Sequence, residues 1–313
     1  MSLCEYLPRL ETISVKIVLG KDDTEPTISG VAFSKRVFTV VTRGAKYSVV
    51  LPVENAEKLQ NAKITQISAN GNILSIRISL NSAEKTAASF TSLSQSKTQK
   101  WSVSDLVKTP KDQNNINTFQ FLCTYCDTTV VDSKETKYAD MPSEYWHELM
   151  DFWHCHKPHQ SHHDNHQKSY GAIVPKPGHV YIGASYLFLL RGSSKCYGCK
   201  RQLGEITNDS AKLYKWNLKL KYGDTIESYP PYAFAYYAIL DRINSGALRK
   251  LQVKSTNGSI RLWILSVGLS ISYDDYVLSK ALKILYTDDE DPDLEVLDVP
   301  AEVFDSLTYV LKE

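Results

Sequence analysis

No run of apolar residues in this sequence is long enough to cross a bilayer. The longest uncharged stretches, 113–126 and 177–190, hold 14 residues each, short of the roughly 18 that a spanning helix needs. The start, Met1-Ser2-Leu3-Cys4-Glu5, lacks a basic segment leading into an apolar core, so no secretory signal is expected. An excess of either charge is missing as well. Thirty-six Lys and Arg stand against 35 Asp and Glu, a net of +1, which gives no global field for nucleic acid or an anionic membrane. A glycine-rich phosphate loop, G-x-S-x-G and H-E-x-x-H are all absent, which removes nucleotide-driven chemistry, serine hydrolysis and zinc proteolysis. What remains has ordinary globular composition, 42% apolar and 23% charged over 313 residues, with room for two domains or one large one.

The patterning points to an α+β chain of predominantly antiparallel β with a few helices and a zinc-stapled centre. Residues 1–81 form an N-terminal β-rich region. Segments 12–19, 30–42 and 47–53 are rich in Val, Ile, Phe and Thr, and 74–80 alternates apolar and polar residues, so one face of the sheet is wet. Asn70-Gly71 ahead of that strand is the dipeptide of a type I′ hairpin turn. Residues 82–117 turn to Ser, Thr, Lys, Gln and Asn and read as a linker or surface excursion, on which Trp101 and Leu106-Val107 are positioned to dock. Residues 118–313 carry the motifs. There, Trp146, Leu149, Met150 and Trp153 share one helical face over 142–153, with Pro142 in the first turn. Further on, 180–190 reads as a buried strand, 231–244 as a helix closed by Gly246, 259–272 as the far arm of a hairpin turning at Asn257-Gly258, and 276–286 as a short helix. Tyr214, Trp216, Leu218 and Leu220 alternate with Lys215, Asn217 and Lys219, so the lysines Lys212, Lys215, Lys219 and Lys221 are assigned to the solvent face of a strand. Residues 288–305 hold nine acids and no base and should be solvated at least in part.

The cysteines carry the strongest chemical signal. Cys123 and Cys126 form one C-x-x-C and Cys196 and Cys199 another, with Cys4 and Cys155 single. Without a secretory signal the compartment is expected to be reducing, where such pairs bind metal more often than they form disulfides. Zinc takes four thiolates in a tetrahedron with no open position, and a metal joining segments 69 residues apart contributes folding free energy directly. Cys155 admits several readings. His154 and His156 favour a thiolate if protonated, whereas the C-terminal end of the expected helix opposes one. Cys155 and His156 are also alternative metal ligands, and a buried structural thiol is the remaining option. Six of the eight histidines fall in 154–166, read as a solvated loop that picks up metal adventitiously.

Taken in order, Cys123-Thr124-Tyr125-Cys126, Pro142-Ser143-Glu144-Tyr145-Trp146, Trp153-His154-Cys155-His156, Tyr181-Ile182-Gly183, and Cys196-Tyr197-Gly198-Cys199 with Leu203-Gly204-Glu205 form a specific series. The sequence resembles the HECT-like ubiquitin-conjugating-enzyme-binding proteins, closely over 118–313 and loosely before it. That resemblance implies a ubiquitin-protein ligase that binds a ubiquitin-conjugating enzyme, with Cys155, in the matching Cys-His dipeptide, as the candidate for a thioester cysteine or for partner binding. It also implies a link to the endonuclease of pre-mRNA cleavage and polyadenylation, as a stabilising or assembly partner, and residence in nucleus and cytoplasm. The physical reading of Cys155 favours the alternative, a non-catalytic zinc-stabilised interaction factor. Neither membrane binding nor direct nucleic-acid binding is expected. Members of that family continue past the last helix, whereas this sequence ends at Val310-Leu311-Lys312-Glu313, so the expectation is a truncated or a short member.

Overall fold

A computed structural model describes residues 1–8, 10–20, 27–53, 56–80, 100–134, 136–141, 175–190, 192–207, 209–274 and 276–312. The chain divides into two compact units, one of residues 1–96 with 262–287, the other of 97–261 with 288–313. The helix expected over 142–153, the histidine-rich loop, Cys155 and His156 lie outside the described residues.

Among its described residues the first unit is β apart from a 3-10 turn at Ala56–Leu59. Strands β1 (Ser2–Leu7), β2 (Thr12–Val18), β3 (Ile28–Ser34), β4 (Val37–Thr42), β5 (Lys46–Val50), β6 (Ala62–Asn70) and β7 (Ile73–Leu80) come from the N-terminal part, and β18 (Gly258–Tyr273) and β19 (Tyr276–Thr287) return late in the chain. The main sheet runs β6-β7-β2-β1-β18, antiparallel at β1–β2, β1–β18, β2–β7 and β6–β7, with β19 also on β18. A second sheet, β3-β4-β5, lays Phe38, Val40 and Val49 into the core that Ile13, Val15, Leu74, Ile76 and Ile78 build from the first. The period-two pattern of β7 puts Leu74, Ile76, Ile78 and Leu80 inward; cutting one of these back to Ala costs about 2–5 kcal/mol. Cys4 lies in the same core, where burial pushes its thiol up to about 12, so it is a small apolar filler. The β6–β7 hairpin closes with Asn70 opposite Ile73 and positive φ at Gly71, 58°. Gly71 is therefore the first central residue, as a type II′ turn requires, in place of the expected type I′.

Among its described residues the second unit holds two sheets, a parallel strand pair and three α-helices. The first sheet is β10-β11-β12-β14-β13, from β10 (Lys137–Asp140), β11 (His179–Ile182), β12 (Tyr186–Leu190), β13 (Gly204–Thr207) and β14 (Ser210–Tyr214), parallel at β10–β11 and antiparallel elsewhere. The second is β16-β15-β8-β9, antiparallel at each pair, from β8 (Gln120–Cys123), β9 (Thr129–Asp132), β15 (Leu218–Tyr222) and β16 (Thr225–Ser228). A third pairing is parallel, β17 (Lys250–Ser255) with β20 (Val296–Asp298). Helix α1 (Val103–Leu106) is short, and α2 (Tyr232–Gly246) packs on α3 (Ala301–Lys312). The core of this unit is anchored on Trp101, 1% exposed, whose Nε1 donates to Glu227 at 3.0 Å. Its ring lies 5.7 Å from those of both Phe121 and Tyr229.

Several expectations are corrected. The predominantly antiparallel β class holds, with parallel pairing at β10–β11 and β17–β20. Residues 276–286 form strand β19 in place of a helix; Leu278, Leu282 and Leu285 recur at helical spacing, and pairing with β18 overrides that pattern. Segment 180–190 is two strands turning after Ile182, and 30–42 is two strands turning at Lys35, φ 52°. Helix α2 is closed by Ala247 in the left-handed region, φ 53°, with its N–H on Ile243 O, one residue beyond the expected Gly246. The lysine face breaks at Lys215. Residues Lys215–Asn217 form a 3-10 turn that carries Lys215 inward to 0% exposure, its Nζ donating to Lys100 O at 2.7 Å and Ala184 O at 3.2 Å. Burial draws its ammonium down to about 7, against the opposing pull of Asp140 and Asp105. A buried cation without such acceptors would cost several kcal/mol.

Candidate metal centre

Strand β8 delivers Cys123 to a turn that ends at β9, and a second turn precedes β13. The two turns are the same device. In the first, Cys123 N–H bonds Thr128 O at 2.9 Å and Asp127 N–H returns to Cys123 O at 3.1 Å; in the second, Cys196 N–H bonds Arg201 O at 2.8 Å and Lys200 N–H returns to Cys196 O at 3.0 Å. The residue after each second cysteine is left-handed, Asp127 at φ 56° and Lys200 at φ 62°. The C-x-x-C spacing thus becomes a tight loop that aims both of its sulfurs to one side, with backbone N–H groups of Tyr125 and Cys126 turned toward Cys123 Sγ.

Brought together, the four sulfurs form a cluster able to hold a metal ion, all within 4.8 Å of one another. The Cys126–Cys196 sulfurs are 3.5 Å apart and the Cys123–Cys199 sulfurs 3.8 Å, far beyond the roughly 2.05 Å of a disulfide. A tetrahedral ion with metal–sulfur arms of about 2.3 Å would need edges of about 3.8 Å, so the spacing fits such an ion with little movement. Four protein sulfurs would fill the coordination of such an ion and leave no position for water or substrate, the ligand set of a structural site.

Its environment is graded. Cys123 is buried, and desolvation pushes its thiol up to about 12, against the backbone N–H groups that favour the thiolate. Cys126 faces solvent and is drawn down to about 6, first by the Thr128 hydroxyl, 3.2 Å from its sulfur, and then by the Thr128 backbone N–H. A thiolate as deep as Cys123 needs a cation beside it, and a bound metal ion supplies one and deprotonates its ligands outright. The loops admit only small residues at two points. A Cβ on Gly198 would fall 2.3 Å from Thr128 Oγ1 and 3.2 Å from Cys126 Sγ, and a Cβ on Gly204 would fall 1.9 Å from the carbonyl oxygen of Lys212.

All four cysteines selected from the spacing meet at this centre. Cys155 and His156, the alternative ligands, and Cys155 as a nucleophile lie outside the described residues. Sequence reasoning missed the contact that bridges the loops: the Arg201 guanidinium sits 3.8 Å from the centre of the Tyr125 ring. The only signal for it was one arginine and one tyrosine beside the two motifs.

Comparisons with known proteins extend this picture beyond the cysteines. The profile of the family described as HECT-like ubiquitin-conjugating enzyme (E2)-binding matches residues 5–313. The match takes in the N-terminal strands, which the motifs alone tied only loosely. The uncharacterized protein YJR141W of Saccharomyces cerevisiae is 26% identical over 305 residues, covering 90% of this chain and 82% of that protein. No solved structure matches. On the extent of the profile match, the chain belongs to the HECT-like ubiquitin-conjugating enzyme (E2)-binding family.

Proposed function

We propose that the protein binds a ubiquitin-conjugating enzyme, and that it does so as a zinc-stapled β scaffold without forming a thioester itself. The observation that carries the first part is the family match over 5–313; the four-sulfur cluster supports the second. Zinc is the ion of choice for four thiolates at this spacing, since it imposes no geometry of its own and is inert to redox change. Its work would be to hold the two loops, 69 residues apart in the chain, in one rigid body.

The HECT-like description favours a second reading, in which Cys155 accepts ubiquitin. In that step the Cys155 thiolate attacks the thioester carbonyl on the conjugating enzyme, a new thioester forms, and the enzyme's cysteine leaves as the thiolate. One experiment separates the readings. Full-length protein is incubated with activating enzyme, ATP, ubiquitin and a panel of recombinant conjugating enzymes, then resolved with and without reductant. The scaffold reading expects capture of at least one conjugating enzyme, equal capture by Cys155→Ser, and no reducible ubiquitin adduct on this chain. A reducible adduct lost in Cys155→Ser would establish the ligase reading instead. The endonuclease of pre-mRNA 3′-end processing is a further partner within this proposal, supported by the resemblance alone, and the same immobilised protein tests its capture.

A further inference from the structure

The two loops that meet at the metal centre end in an aromatic and basic surface. Tyr197 is 72% exposed and Tyr125 54%, two large rings on joined loops and not one ring alone, and it is the grouped kind that marks an interaction site. The Arg201 guanidinium lies over Tyr125, 3.8 Å from the ring centre, a cation–π contact that joins the two loops. Residues 195–201 add Lys195 and Lys200 and contain no acid, and Asp127, the one carboxylate of the first loop, is matched by Lys219 at 3.0 Å. A chain of net charge +1 therefore concentrates positive charge here.

We infer that the loop tips, through Tyr125, Tyr197, Arg201, Lys195 and Lys200, form the docking surface for an acidic face of the conjugating enzyme; this rests on the binding function proposed above. Tyrosine and arginine are the residue types that dominate protein interfaces, because they bury much area for little rotamer entropy. The sulfur cluster and the Arg201–Tyr125 stack order these side chains before the partner arrives, which lowers the cost of binding. Single-stranded nucleic acid fits less well. Base stacking needs open aromatic faces in series along a basic track, and here one face of Tyr125 is already covered by Arg201.

The test uses the full metal-loaded chain and the panel of recombinant ubiquitin-conjugating enzymes, with affinity read by biolayer interferometry at two salt concentrations. Tyr197→Ala should weaken binding by tenfold or more. The pair Lys195→Glu and Lys200→Glu should do the same and reverse the salt dependence, so that added salt no longer weakens binding, while metal content and melting temperature stay at the wild-type values. Both variants spare the Arg201–Tyr125 stack, so neither should threaten the fold. If wild type binds a conjugating enzyme and these variants bind it equally well, the docking surface lies elsewhere and the binding function stands. If wild type binds none of the panel, both fall. A fluorescent single-stranded RNA that binds wild type and is lost in the variants, with enzyme binding unchanged, would also overturn the inference.

Discussion

Lys215→Met offers a direct reading of what a charge inside the second unit costs. Unfolded, Lys215 holds its proton up to about pH 10.4; folded, burial draws it down to about 7. Between those values the unfolded chain binds more protons than the folded one, so stability rises with pH, by up to about 1.4 kcal/mol per unit. From pH 7 to pH 9 the gain from this one group integrates to about 2 kcal/mol. Below pH 7 both states are charged and the full cost of burying the ammonium remains; above pH 10.4 it is gone. Methionine keeps most of the length, removes the titration, and takes one donor from each of the Lys100 and Ala184 carbonyls, the second of which keeps the Tyr229 hydroxyl at 3.2 Å. Urea unfolding followed by tryptophan fluorescence at pH 7 and pH 9 should therefore show wild type gaining relative to Lys215→Met as pH rises, by roughly 2 kcal/mol. All other titrating groups are common to both proteins and cancel. Parallel pH slopes would refute the reasoning, because Lys215 would then stay charged in the fold, held by its two carbonyls, Asp140 and Asp105.

Three other expectations bear on the centre and the core. Gly198→Ala places a methyl 2.3 Å from Thr128 Oγ1 and should cost about 1–3 kcal/mol of stability and weaken metal retention; adding Thr128→Ala should restore part of the loss in a chelator competition, and no rescue would mean the strain lies elsewhere. Trp101→Ala should lower stability by about 3–5 kcal/mol, and Trp101→Phe, which loses the bond to Glu227, by about 1–2 kcal/mol, both measured by urea titration. Metal analysis should give one zinc per chain, and removal by a strong chelator should cut the melting temperature sharply, as should Cys196→Ser; a metal-free preparation that melts as the native protein does would remove the structural role of the cluster.

Much of the fold was legible where local pattern and burial agree. The alternation in 74–80 became β7 with its inward face as expected, and the C-x-x-C spacing located the sulfur cluster before any geometry was known. The failures share a cause. Period-two spacing assigned Lys215 to water because nothing local says that the chain turns after Tyr214 and offers two buried carbonyls to an ammonium. Likewise 276–286 looked helical because its apolar residues recur every few positions, and only the strand beside it, β18, decides. Trp101 showed as a docking residue, but its weight in the core depends on Phe121, Tyr229 and Glu227, up to 128 positions away for Tyr229.

The register of β1 has a consequence for how the chain is made. Leu3 pairs with Lys16 on one side and with Tyr273 on the other. During synthesis at about 5–20 residues per second, the first partner is available almost at once and the second only after roughly 15–50 s. Throughout that interval β1 has an open edge, with Cys4 and Tyr6 in the core face of a sheet whose next strand does not yet exist. Exposed strand edges of this kind template wrong pairings. The nascent protein therefore passes through a stage in which β1 is paired on one side only, and chaperone demand on that edge should last until β18 has emerged.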